Sequence, residues 1–332
     1  MPAVPDHAGR GEEGPAAWQV TGRAFRAAVA SGRLDLPLPG SGRTRERWAA
    51  FADLAGEDLS LARLAEGHAD AVAILAELDG PPPETGSRWG VWAAHPPGPK
   101  LEAAHGAAGW RLHGTKRYCS GARCCTHALV TAAAPDGIRL FAVAAGTLTP
   151  VPGTWPAAGM AGSDTLDVDF ADVLAQPVGM PGAYVERPGF AHGGVGVAAC
   201  WYGGARAVGH TLLAAAGRRD VGPHALAHLG AVDIALRSVR TALDAAADGI
   251  DADPADLKGA GRLRALRVRA LADAVAGKVM DRTGRALGAG PLCLDGAHSR
   301  RVADLTVYIR QHHAERSLAE LGALVAKQGT QW

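Results

Sequence analysis

R-A-L-G-A-G-P-L-C-L-D-G-A-H-S-R-R-V-A-D-L-T-V-Y-I-R-Q-H-H-A-E-R, residues 285–316, decides how the rest of the chain is read. An apolar helical run ends in a Gly-rich turn made by Gly288, Gly290 and Pro291. Glycine has no Cβ, so backbone here can come close to a bulky ligand. Arg300, Arg301 and Asp304 then open a second helical run that reaches Gln311, His312, His313 and Glu315. The apolar spacing predicts a single helix from Ser299 to Ala326, with its titratable groups clustered on it.

Upstream, helical spacing covers Phe190 to Arg218, His224 to Asp248 and Asp256 to Leu287, with Asp253-Pro254 marking the start of the third helix. Four long helices with short connections make a bundle. Pro177 to Pro188 reads as a linker. Before it the period is two: Trp89–Ala93, Leu101–Ala104, Gly109–His113, Ala128–Ala132, Leu140–Ala144 and Leu166–Phe170 predict short strands separated by Gly/Pro turns. They build a small antiparallel β domain, a barrel or a two-layer sheet. Pro81-Pro82-Pro83 separates it from three helices, 17–30, 44–54 and 59–78, the last with Ser60 as its N-cap. Three helices of this size bury little alone, so they pack on the rest. Glu66 and His68 read as helix-surface or domain-contact residues. The expected fold class is α+β: an N-terminal helical domain (17–80) after a disordered tip (1–16), a middle β domain (86–178) and a C-terminal helical bundle (188–328).

Hydrophobic residues are 48% but aromatics only 5%, which predicts helices in close contact through small side chains. A net charge of +1 gives no electrostatic reason for a nucleic-acid or membrane-surface partner. No run of 18 apolar residues exists and the first 16 residues are polar and Gly/Pro-rich, so the expectation is a cytoplasmic protein. The five cysteines are odd in number, which argues against a disulfide framework. Cys119, Cys124, Cys125 and His127 are close in sequence, but no C-x-x-C pair and no second ligand pair follow, so reduced thiols rather than a metal site are expected.

Several stretches carry a resemblance. Gly114-Thr-Lys-Arg-Tyr-Cys-Ser-Gly-Ala122 follows a strand, and Val91-Trp92-Ala93-Ala94-His95-Pro96 precedes it. Met160-Ala-Gly-Ser-Asp-Thr165 runs into an alternating strand, and Arg218-Arg-Asp-Val-Gly222 ends a helix. With the turn at Gly288 and Gly290, they resemble the acyl-CoA dehydrogenase family over roughly residues 45–325. Alone, Tyr118 and Ser120 read as an ordinary half-buried strand; the resemblance implies that they line a flavin ring. Trp92 and Ala94 stand on the family's other flavin-contacting strand, where Ala94 and His95 replace a hydroxyl and an acid. Arg218 matches an Arg that reaches a partner subunit's FAD pyrophosphate; read by itself it is a solvated helix end. The implied cofactor is FAD, and the implied assembly a homodimer or homotetramer.

The resemblance implies α,β-desaturation of an acyl thioester, presented by CoA or a carrier protein, with electrons passed to a transfer acceptor. That reaction needs a base for the α-proton and a flavin for the β-hydride. The family's catalytic Glu lies eight residues past the Asp of the turn-and-helix segment; here that position is His312, with Glu315 close by. A second position used in the family, 26 residues before the pyrophosphate Arg, is His192. Imidazole can serve as a base near neutral pH. A flavin-dependent monooxygenase of the same fold and a non-catalytic scaffold are the alternatives.

Overall fold

The computed structural model describes residues 16–98 and 100–328; the expected disordered tip lies outside them except for Ala16. Three helices come first: α1 (Ala17–Ala30), α2 (Thr44–Glu57) and α3 (Leu59–Glu77). Asp58, not Ser60, caps α3. Its extended backbone places a carboxylate oxygen 2.8 Å from the Leu61 N–H, satisfying a donor that the first turn leaves free. Ser60 lies one residue inside the helix. Glu66 is not a surface residue: it is 5% exposed. His68 does make a domain contact, its Nδ1 accepting the Trp89 N–H at 3.3 Å. Burial holds this imidazole down at about 4, which keeps it neutral and able to accept.

Seven strands follow: β1 (Trp89–Trp92), β2 (Glu102–Gly106), β3 (Gly109–Cys119), β4 (His127–Ala134), β5 (Gly137–Ala144), β6 (Thr149–Val151) and β7 (Leu166–Val178). The ladder runs β4–β5–β7–β3–β2 and returns to β4 through one pairing, Glu102 with Ala133, closing a five-stranded barrel. β1 lies on β4 and β6 on β7. The sheet is mostly antiparallel, as expected, but β1 and β2 run parallel to β4. Each is separated from β4 by the β3 segment, long enough for the crossover that a parallel neighbour requires. Beside the short β2–β4 ladder, Lys116 of β3 reaches across to β4: Nζ donates to the Thr131 carbonyl at 2.7 Å and to its hydroxyl at 2.8 Å. Burial lowers this amine to about 8. Trp92, Leu112, Val130, Phe141, Val168 and Phe170 fill the interior.

After α4 (Ala183–Glu186), the chain is helical: α5 (Pro188–Arg218), α6 (Gly222–Asp251), α7 (Gly261–Leu287), α8 (Gly290–Leu294), α9 (Gly296–Tyr308) and α10 (Ala314–Gln328). Two expected boundaries change. Asp253-Pro254 does not start α7; the Asp253 carboxylate accepts from the Leu257 and Lys258 N–H groups and stabilises a turn in the preceding loop. The predicted helix from Ser299 to Ala326 is broken. A tight turn at Ile309–Gln311 leads to an extended His312 and to Ala314 at φ 38°. The Gln311 carbonyl is taken by the Arg269 guanidinium instead of a following helical N–H.

The glycines of α5 set how closely the layers meet. A Cβ on Gly203 would overlap the Ala52 backbone carbonyl of α2, and one on Gly204 would press into Leu59 at 2.7 Å. The barrel is fixed to the bundle by the Met160 N–H, which donates to the Asp304 carboxylate of α9. Beside it Gly159 lies against the Ala303 carbonyl. Burial pushes the Asp304 carboxyl up to about 6.

Gly203→Ala is expected to lower stability by roughly 1–3 kcal/mol through overpacking against backbone. Gly217→Ala, on the same helix with nothing within 4 Å of its Cβ position, should raise it by up to about 1 kcal/mol. Thermal melts of the two variants check this. At Asp304 the folded protein binds the proton more tightly than the unfolded chain. The resulting stability is complete below the ordinary carboxylate pKa and is lost as pH rises through about 6. Asp304→Asn, which keeps the acceptor oxygen, should therefore gain on the order of 2 kcal/mol at pH 8 and change little at pH 4 in urea denaturation.

Candidate active site

β3 ends in a wall. Tyr118 sits at φ 61° with 44% of its surface exposed, its ring edge-on to Trp155 at 6.5 Å between centroids. Trp155 lies at the seam between barrel and helices, touching both cores, and its buried indole N–H has no partner. Ser120 follows in a chain of hydroxyls. Ser163 Oγ donates to the Met160 carbonyl at 2.7 Å. It must then accept from Thr165 Oγ1 at 2.8 Å, and Thr165 in turn accepts from Ser120 at 2.9 Å. Ser120 is left with lone pairs only, able to accept an N–H from a bound ring. Ser60 Oγ, 3.2 Å from the Cβ position of Gly162 on the same turn, is buried without a partner. An exposed aromatic face beside unpaired polar atoms fits a flat heteroaromatic group such as a flavin.

Trp92 takes no direct part in this wall. Its indole is in the barrel core, 1% exposed, and its N–H donates to the Ser120 carbonyl at 2.9 Å, holding the wall in place. Ala94 lines a depression with His95, Pro96, Thr115, Lys116 and Arg117, on the β3 residues leading to Tyr118.

A second cluster lies among α3, α5, α7 and the α9–α10 break. His312 is 7% exposed; its Nδ1 is 3.3 Å from Asp273 Oδ2 of α7. A carboxylate only accepts, so Nδ1 carries the proton. Burial holds the imidazole below its ordinary pKa against the pull of Asp273, so it is neutral at pH 7. Its buried Nε2 then presents a free lone pair, with no protein partner. Trp201 of α5 stands edge-on to both His312 and Tyr308, and the Arg269 guanidinium lies 4.7 Å over its face. Burial lowers Arg269 to about 10, still charged at neutral pH. The Tyr308 hydroxyl lies against Cys200 without a well-formed hydrogen bond. Arg63 and Glu66 form a buried pair at 2.5 Å in the same layer. Desolvation raises the Glu66 carboxyl, and the pair raises Arg63.

The remaining expected residues are dispersed. His192 is buried on α5, but its Nε2 is 3.0 Å from the Pro254 carbonyl in the α6–α7 loop, so it joins a loop contact rather than His312. Glu315 and His313 are exposed, because the break at 312–314 turns α10 away from the cluster. Arg218 is exposed at the end of α5, about 25 Å along the helix from Trp201. Gly288 (φ 65°) and Gly290 form an exposed turn with nothing within 4 Å of either Cβ position. Asp273, Trp201, Arg269, Trp155 and Arg63 were not singled out from the sequence. The Arg269–Asp273 spacing, one helical turn apart, was the available signal.

Among the described residues, no helix is long and apolar enough to cross a membrane, and no group of three His, Cys, Asp or Glu side chains is arranged to hold a metal ion. No protein-family model matches the chain, and no curated protein does. Solved structures do. Dibenzothiophene monooxygenase (TdsC) from Paenibacillus sp. A11-2 superposes with a TM-score of 0.73 at 18% identity, over 92% of this chain and 95% of that one. It is also known bound to FMN. A nitrososynthase from Micromonospora carbonacea var. africana gives 0.72 at 22% identity, over 97% and 99%. A steroid ACAD variant, Tcur3481–Tcur3483, gives 0.72 at 21%, over 93% and 90%. Helical domain, small barrel and helical bundle in this order are the acyl-CoA dehydrogenase fold, and this chain has it.

Proposed function

We propose that the chain is a flavin-dependent oxidoreductase in which His312, oriented by Asp273, takes a proton from the substrate. The observation that carries this is the buried His312 Nε2, a lone pair with no protein partner beside a carboxylate that fixes the tautomer. A flavin, when bound, supplies the acceptor for the electron pair. Tyr118, Trp155 and Ser120 would hold its ring. Asp273 also stabilises the imidazolium that forms when the proton arrives. In its narrower form, the reading is desaturation of an acyl thioester. Arg63, Glu66, Trp201 and Tyr308 fill space between the helices with charge and aromatic rings, which favours a short acyl group over a long apolar chain.

For the cofactor we propose FAD, with Arg218, exposed at the end of α5, serving a second copy of the chain. Arg218→Ala should then weaken FAD binding about tenfold or more and leave FMN binding unchanged. Equal FAD affinity in Arg218→Ala and the unsubstituted protein would remove Arg218 from the cofactor site.

A second reading, oxygen insertion by a reduced flavin, is favoured by the imidazole in place of a carboxylate and by the likeness to TdsC. The absorbance spectrum of the purified protein tests the shared premise: a colourless protein that takes up no flavin ends both readings. Anaerobic bleaching by a short acyl thioester supports desaturation. Oxygen uptake with reduced flavin and no bleaching supports insertion. His312→Ala is expected to slow substrate-dependent flavin reduction by 10²–10⁴-fold. Asp273→Asn should lower kcat and shift the pH profile; an unchanged rate in His312→Ala would remove His312 as the base.

A further inference from the structure

Cys124 and Cys125 take no part in the chemistry above, yet their arrangement is unusual for buried thiols. Both backbone N–H groups donate to the Gly121 carbonyl, at 3.0 and 2.9 Å, folding the chain into a tight turn after the Ser120 wall. Gly121 has φ 73°, and the point where its Cβ would stand is 2.7 Å from Cys125 Sγ and 3.4 Å from Cys124 Sγ. The two sulfurs therefore converge on one small volume, which only a glycine leaves open. Their contact holds the Cys124 thiol below its ordinary range and pushes Cys125 well above it. The Arg88 side chain, whose Nε donates to the Cys124 carbonyl at 2.8 Å, adds positive charge beside them and is opposed by burial and by the Asp164 carboxylate. A thiol held toward its thiolate form with a second sulfur converging on it is the arrangement of an oxidisable pair.

The other thiols are differently placed. Cys119 is in the barrel core, where its Sγ lies 3.3 Å from the Lys116 carbonyl and burial raises it well above its ordinary range. Cys200 is fully buried against Tyr308, and burial raises it too. Cys293 is exposed on α8, away from the turn.

We propose that Cys124 and Cys125 form an oxidisable dithiol that closes to a disulfide between adjacent residues on reaction with hydrogen peroxide. The Cys124 thiolate attacks the peroxide, the O–O bond breaks, and Cys124 becomes a sulfenic acid as water leaves. Cys125 sulfur then attacks Cys124 sulfur and expels a second water. In total two thiols lose two electrons and two protons, and one peroxide becomes two waters. Peroxide, a molecule little larger than water, must reach the buried Cys124 sulfur past its half-buried neighbour Cys125. The step needs no flavin, so it stands apart from the function proposed above.

The test treats the full-length reduced protein with hydrogen peroxide, then counts free thiols after denaturation and maps the peptides by mass. Five thiols should fall to three, and the peptide holding both cysteines should be lighter by two hydrogens, restored by dithiothreitol. Cys124→Ser and Cys125→Ser should each abolish the bridged peptide, while Cys119→Ala should keep it. Cys125, being half-buried, is the variant least exposed to misfolding, and its melting temperature is read alongside. The proposal fails if thiols are lost only through Cys293-linked dimers or a bridge that includes Cys119. It fails equally if Cys124 goes to sulfinic acid with no bridged peptide, or if all five thiols remain.

Discussion

The approach of α2 to α5 at Gly203 is the constraint on which the helical part of this protein depends. Backbone meets backbone there, because the Ala52 carbonyl occupies the place of a side chain. With so few aromatic residues, the core has little large apolar surface to bury. Many close contacts between small groups replace a few large ones, and dispersion then falls off steeply with any added gap. The rigid α5 that results presents Trp201 at mid-helix, and Trp201 is the surface on which His312, Tyr308 and Arg269 are arranged. A packing requirement thus fixes the geometry around the candidate base.

Barrel and bundle meet through apolar contacts of Trp155 and Met160 and through a small set of polar groups. The Met160 N–H on Asp304 and the hydroxyl series from Ser120 to the Met160 carbonyl share one turn, residues 159–165. The same turn therefore anchors the wall and locates it over α9. A carboxylate that is hard to ionise at this joint weakens the fold at neutral pH while keeping the wall and the helices in register. Fold stability and site placement pull in different directions at Asp304.

Much of the fold was legible because periodicity is local. The switch from a helical period to a period of two at Trp89, and back at Pro188, is written in apolar spacing, and the strand and helix positions follow it closely. The features that were misread depend on long-range partners. At the break after Tyr308, the Gln311 carbonyl is met by Arg269, 42 residues before it. Asp58 caps α3 through backbone geometry that composition does not reveal. The candidate base His312 was visible by its position after Asp304, but Asp273, which gives it its tautomer, was not, since an Asp on a polar helix face carries no local mark. His192 shares a helix with Trp201 and still belongs to another contact, because sequence spacing does not say which loop folds back against a helix.

Lys116 closes the barrel where strand pairing is thin, acting as a rung made of side chain in place of backbone. A rung of this kind can detach by a change of rotamer, with no peptide group shifting register. Closure at this edge is thus set by a side-chain rotamer, while the β4–β5 edge is set by a ladder of eight residue pairs.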